Sequence, residues 1–176
     1  MLDRFGRRIV VAACLAIVCV SCGAGADVKA IRDPHYAGRM RSLYLAIGQG
    51  GIDEDYANEF VRSFKRELGQ RGVVLTARVV TGLELDPKLV DREVAASHAD
   101  GVLFVSPVRG TTYYGEIVNL TWDVTLVDVR SRAKIWKARV ENTKAAGAWG
   151  STSGMVDEAA VGIAGQLESD RLLGGA

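Results

Sequence analysis

The pattern of apolar and polar positions divides the chain into an uninterrupted apolar run, a stretch without period, and a region where periods of two and of three to four residues alternate. The run extends from Ile9 to Val20 behind Arg4, Arg7 and Arg8, and small residues replace it from Ser21 onward. A membrane-crossing helix needs roughly 20 apolar residues, so this shorter run reads as the charged and apolar parts of a secretory signal. Residues 22–41 mix Gly, Ala, Asp, Lys, Arg and Pro34 without period, which suits a tether, with His35 and Tyr36 as the side chains able to dock on the domain.

Leu43 to Gly48 predicts a first strand, closed by Gly48, Gly50 and Gly51. Asp53 stands where a helix N-cap belongs. Tyr56, Phe60, Val61, Phe64 and Leu68 then recur at helical spacing until Gly69 and Gly72. Val73 to Val80 predicts a second strand, and Asp86-Pro87 opens a weaker helix running to about Ala99. Gly101 to Val105 is apolar on both faces and too short for a helix, so it predicts a buried central strand.

From Glu116 the pattern becomes strict alternation. Val118, Leu120, Trp122, Val124 and Leu126 face one way, with Asn119, Thr121, Asp123 and Thr125 facing the other. Beyond a turn at Arg130 to Arg132, Trp136, Ala138 and Val140 alternate with Lys137, Arg139 and Glu141, which predicts an antiparallel hairpin with one solvated face. A small-residue loop around Trp149 leads to a last helix with Val156, Ala159, Ile163 and Leu167 on one side, weakened in its middle by Gly162 and Gly165.

The order β-α-β-α-β-β-β-α predicts an α+β fold: two layers, a mixed five-stranded sheet, and helices mainly on one face. Right-handed crossovers make the first three strands parallel, and the hairpin extends the sheet antiparallel. Residues 1–21 form the signal peptide, 22–41 a lipid-anchored tether and 42–176 a single domain.

Charge and chemistry narrow the function. The whole chain has 22 basic and 21 acidic residues, and the signal takes three arginines and one aspartate with it. The near-neutral remainder gives no electrostatic argument for nucleic acid. Gly48-Gln49-Gly50-Gly51 lacks the third Gly of a dinucleotide loop, and Asp53, Glu54 and Asp55 would repel a pyrophosphate. Two histidines, His35 and His98, make a poor metal set, and no metal or other cofactor is expected. A triad imagined from Ser106, His98 and Asp123 lacks the nucleophile elbow, so the chain is expected not to be an enzyme. What remains is contact surface. Pro107 to Gly115 joins two strands and carries Arg109, Tyr113 and Tyr114, residue types enriched in binding hot spots, and Trp149 is a further candidate.

All three cysteines, Cys14, Cys19 and Cys22, fall within or at the end of the signal. Cys19-Val20-Ser21-Cys22 resembles the lipobox of bacterial lipoproteins, with Cys22 as the lipidated residue and Cys19 where that family has Leu. Gly23, a residue other than Asp after the cysteine, resembles the outer-membrane sorting rule. Ala24-Gly25-Ala26 offers ordinary cleavage instead, after Ala26, which would release a soluble periplasmic domain.

Two further segments carry a broader resemblance: Ala99-Asp100-Gly101-Val102-Leu103 entering a strand, and Leu126-Val127-Asp128 followed across a turn by Ile135-Trp136-Lys137. With the signal and the element order, these are similar to small outer-membrane lipoproteins related to the N-terminal domain of the Tol-Pal translocation protein B. That group includes penicillin-binding-protein activators and accessory lipoproteins of polysaccharide and curli secretion. The resemblance implies a non-catalytic accessory protein on the periplasmic face of the outer membrane, docked on an envelope protein partner and sometimes assembled as a homo-oligomeric ring. Competing expectations are a lipid- or glycan-binding module, which should show an apolar groove, and a periplasmic hydrolase.

Overall fold

A computed structural model describes residues 25–49, 54–81, 88–113, 116–143 and 152–174. In chain order these form β1 (Asp27–Arg32), β2 (Ser42–Gly48), α1 (Glu54–Gln70), β3 (Val74–Val80), α2 (Leu89–Ser97), β4 (Gly101–Tyr113), β5 (Glu116–Asp128), β6 (Lys134–Thr143) and α3 (Thr152–Ser169). Asp53, Asp86 and Pro87, expected to open helices, lie outside the described residues.

The sheet has six strands in the order β1-β6-β5-β4-β2-β3, which corrects the five-stranded expectation. β2 pairs in parallel with both β3 and β4, as two right-handed crossovers require, and β4, β5 and β6 follow antiparallel. The sixth strand comes from the segment read as a tether: β1 pairs antiparallel with β6, from Asp27 opposite Glu141 to Arg32 opposite Trp136. An open β6 edge would leave a row of unpaired N–H and C=O groups, and β1 satisfies them. Val28 and Ala30 turn inward onto the core. Val28, with Ala26 before it, approaches α3 closely at Gly162, where a Cβ would stand 3.0 Å from Val28 Cγ2 and 3.3 Å from the Ala26 Cβ. The glycine that weakens the helical pattern is thus the one that admits β1.

The main core lies between the sheet and the pair α1 and α3. Phe60, Phe64 and Leu68 from α1 and Val156, Ile163 and Leu167 from α3 are fully buried against Leu45, Ile47, Leu103, Trp122 and Val124. Helices α1 and α3 share that face, as expected of the helices in the main, and helix α2 covers the other. The reason lies in β2, where Tyr44 and Ala46 are as buried as Leu43, Leu45 and Ile47. A strand apolar on both faces needs cover on both, and Val90 and Val94 of α2 supply it over Tyr44, Ala46 and Val102. Tyr44 also donates its hydroxyl to Glu93, and Arg78 of β3 pairs with the same carboxylate.

Candidate functional site

The expected contact loop is, for most of its length, strand. β4 pairs with β2 only from Gly101 to Val105, then continues to Tyr113 against β5, with Arg109 opposite Thr121 and Tyr113 opposite Glu116. The β4/β5 ribbon therefore extends past the end of β2 as an arm, with β4 as its open edge and with β6 still paired to β5 as far as Asn119. Two register shifts, between Pro107 and Arg109 and between Thr111 and Thr112, bend it. Val108, the extra residue of the first shift, is 54% exposed. Arg109, Gly110 and Thr111 beside it are exposed too. Tyr114, Trp149 and Cys22 lie outside the described residues, so of the expected contact residues the structure places Arg109 and Tyr113 together on one strand of this arm.

The solvated face of the antiparallel strands is as the alternation predicts. Asp123 and Arg139 face each other across β5 and β6, with the guanidinium donating at 2.9 and 3.2 Å, beside a shallow depression of about 200 Å³ bordered by Lys29, Ile31 and Lys137. Ser106 and Asp123 are paired positions of β4 and β5, whereas His98 sits before the start of β4 at the opposite end of the sheet, so these three do not assemble a triad.

A larger open groove, about 700 Å³, lies at that opposite end between the C-terminus of α2, the β5/β6 turn and residues 36–40. Two aspartates at its edge organise the surrounding turns. Asp100 Oδ2 accepts the backbone N–H groups of Arg41 and Ser42 at 2.8 and 3.0 Å and the Ser42 hydroxyl at 3.1 Å. Asp128 Oδ1 accepts the Ser131 N–H and hydroxyl at 2.6 and 2.7 Å, closing the β5/β6 turn, and its Oδ2 accepts the Tyr36 hydroxyl at 2.9 Å. Tyr36 docks, although an unfixed tether is the commoner outcome for such a segment, and burial followed by the bond to Asp128 pushes its phenol up to about 12. The aspartate of the Leu126-Val127-Asp128 motif thus fixes a turn. Its tryptophan fixes a helix end, since Trp136 Nε1 donates to Asp170 just beyond α3 at 2.6 Å.

Burial tends to raise both carboxyls, but the bonds they accept outweigh it, so Asp100 and Asp128 titrate below the ordinary carboxylate value. A depressed folded-state pKa gives stability that is present above the unfolded value near 3.9 and lost as pH falls through the folded one. The melting temperature should therefore hold from neutral pH to about pH 5 and fall steeply towards pH 3. Asp128→Asn should be less stable at neutral pH and show a shallower fall; a variant with the wild-type acid profile would contradict this role.

No protein-family model and no curated protein matches the chain. Among solved structures, one subunit of the PelC dodecamer from Paraburkholderia phytofirmans shares the fold, with a TM-score of 0.57 and 16% identity over 85% of this chain and 99% of that one. The L103M form of that dodecamer gives a TM-score of 0.56 and 17% identity over 86% of this chain and 99% of that one. At this identity the likeness is one of fold.

Proposed function

We propose that this chain is a non-catalytic accessory subunit of a cell-envelope assembly or secretion machine, held by a lipid on Cys22 to the periplasmic face of the outer membrane and acting through protein contacts. The observation that carries the reading is the β4/β5 arm, in which β4 runs past its last pair with β2 at Val105 as an open edge of the sheet and presents exposed Val108 and Arg109 there. A ribbon whose open strand carries Arg109 and ends at Tyr113, with Tyr114 next in sequence, is suited to meet a partner. The lipobox-like Cys19 to Cys22 segment and the similarity to small outer-membrane accessory lipoproteins support the location. No helix among the described residues is long and apolar enough to cross a membrane. The same fold occurring in the PelC dodecamer supports assembly of this chain into a homo-oligomer.

The test is partner capture from the envelope fraction. Tyr113→Ala combined with Tyr114→Ala should weaken capture by about 2 kcal/mol, roughly thirtyfold, with the melting temperature little changed. Unchanged capture would move the contact away from the arm, with Trp149 as the next candidate. A collapse of stability would return the tyrosines to the scaffold.

A further inference from the structure

The end of the domain away from the arm carries an unusual use of the backbone. Among the described residues, four have a left-handed backbone: Gly72 (φ 71°), His98 (φ 52°), Arg132 (φ 58°) and Arg171 (φ 56°). Gly72 ends α1 in the ordinary way, because glycine takes this conformation without a Cβ clash. The other three slots close α2, the β5/β6 turn and α3, and each holds a basic side chain where glycine would fit the backbone better. They lie at one end of the fold, because Asp100 donates to Ser42, Val129 to Asp100, and Met40 to Leu172 through the backbone. Non-glycine residues held in left-handed turns collect where a side chain is needed more than a relaxed backbone.

Most of the charge around these turns is positive, set against the carboxylates of Asp100 and Asp128. Arg39, His98 and Arg130 line the 700 Å³ groove, whose apolar strip is Val94, Ala95 and Val129 beside the Tyr36 ring. Arg41 and Arg130 act on the carboxylates of Asp100 and Asp128, which also line the groove and whose oxygens are engaged by Ser42, Ser131 and Tyr36. Arg39, Arg132, Lys134 and Arg171 are exposed, make no ion pair with the described residues, and leave this end positive. The cations come from three separate turns and form a rim, an arrangement that suits a repeating polyanion more than one small anion.

We infer that this groove and rim bind an acidic glycan chain, with sugar rings on the Tyr36, Val94 and Val129 strip, carboxylates on Arg39, Arg130, Arg132 and Arg171, and the His98 imidazole as a further hydrogen-bonding group. The glycan is favoured over an acidic peptide by that apolar and aromatic strip lying between the charges, which fits the flat C–H face of a sugar ring. It is favoured over anionic lipid by the path of the chain, since β1 starts at the other end of the sheet, opposite Glu141 near the end of β6, and the segment from Cys22 joins it there. The inference rests on the exported-envelope reading for its choice of polymer, but its test does not.

The purified full chain should bind an oligogalacturonate, with affinity falling as salt rises from 50 to 200 mM, and should bind neutral dextran far less. The variant His98→Gly, Arg132→Gly and Arg171→Gly should bind about tenfold more weakly, from the lost charge contacts of two arginines and the lost imidazole, while its melting temperature holds or rises because each glycine relaxes its turn. Arg39→Glu with Arg130→Glu should abolish binding, which keeps the inference testable if the triple variant folds poorly. Wild-type affinity in the folded charge variants, or equal binding of dextran, would overturn it. Equal or tighter binding of polyglutamate would assign the groove to an acidic protein, and that of phosphatidylglycerol vesicles to a membrane; either would overturn the glycan.

Discussion

Trp122→Ala should lower the unfolding free energy by about 3 to 5 kcal/mol, a large share of the roughly 5 to 15 kcal/mol that a domain has. Trp122 is fully buried near the middle of β5, its ring centroid is 5.0 Å from that of Phe60 on α1, and Phe60 in turn stacks on Phe64 at 5.2 Å. Removing the indole empties the space where α1 meets the sheet, and the Val124 and Leu126 scaffold around it cannot close over a hole of that size without moving α1. The indole Nε1 is buried and has no hydrogen-bond partner among the described residues. That gives a second expectation: Trp122→Phe, which keeps most of the ring and drops an unsatisfied donor, should cost much less than the alanine. Urea unfolding of the full chain separates the two variants. Wild-type stability for Trp122→Ala would contradict the placement of this strand face in the core.

The second large effect is expected from Cys22→Ser, which should abolish labelling by a palmitate analogue and move the protein from the membrane to the soluble fraction. Each buried CH₂ of an acyl chain contributes about 0.8 kcal/mol to membrane attachment, so loss of the lipid removes the anchoring free energy of entire chains. Only residues 23–26 separate Cys22 from the start of β1. At about 3.5 Å per residue they hold the lipid within a short distance of the sheet, so the domain would stand against the membrane and not swing on a long leash. Cleavage after Ala26 would instead leave Asp27 as the first residue and the wild type in the soluble fraction. Membrane retention of Cys22→Ser, with no lipid found on the wild type, would contradict the anchor.

The parts of the fold legible in the sequence were those whose pattern is set by one element against one core. Phe60, Phe64 and Leu68 on α1, Leu120 to Leu126 on β5, and Val156, Ala159, Ile163 and Leu167 on α3 all keep their period and are all buried. β1 was not legible, because Ile31 is 79% exposed where strict alternation would place a polar residue, and the strand exists only through the edge that β6 offers. The length of β4 was hidden by Pro107 and the register shift at Val108, which read locally as a loop while the long-range pairing with β5 continues. The position of α2 depended on Tyr44 and Ala46, whose burial on the second face becomes apparent only once β2 has a neighbour on each side. The basic end was invisible for a different reason. His98, Arg132 and Arg171 are far apart in the chain, and nothing in their local sequence marks a left-handed backbone at any of them.

The contact with an envelope protein is proposed to run through the β4/β5 arm. A photo-crosslinking residue placed at Arg109 in living cells tests it directly, with the same residue at exposed Lys65 on α1 as the comparison. The account predicts a discrete adduct between the Arg109 position and an envelope protein, and none of that mass from Lys65. No adduct from the arm, or the same set of adducts from both positions, would contradict it.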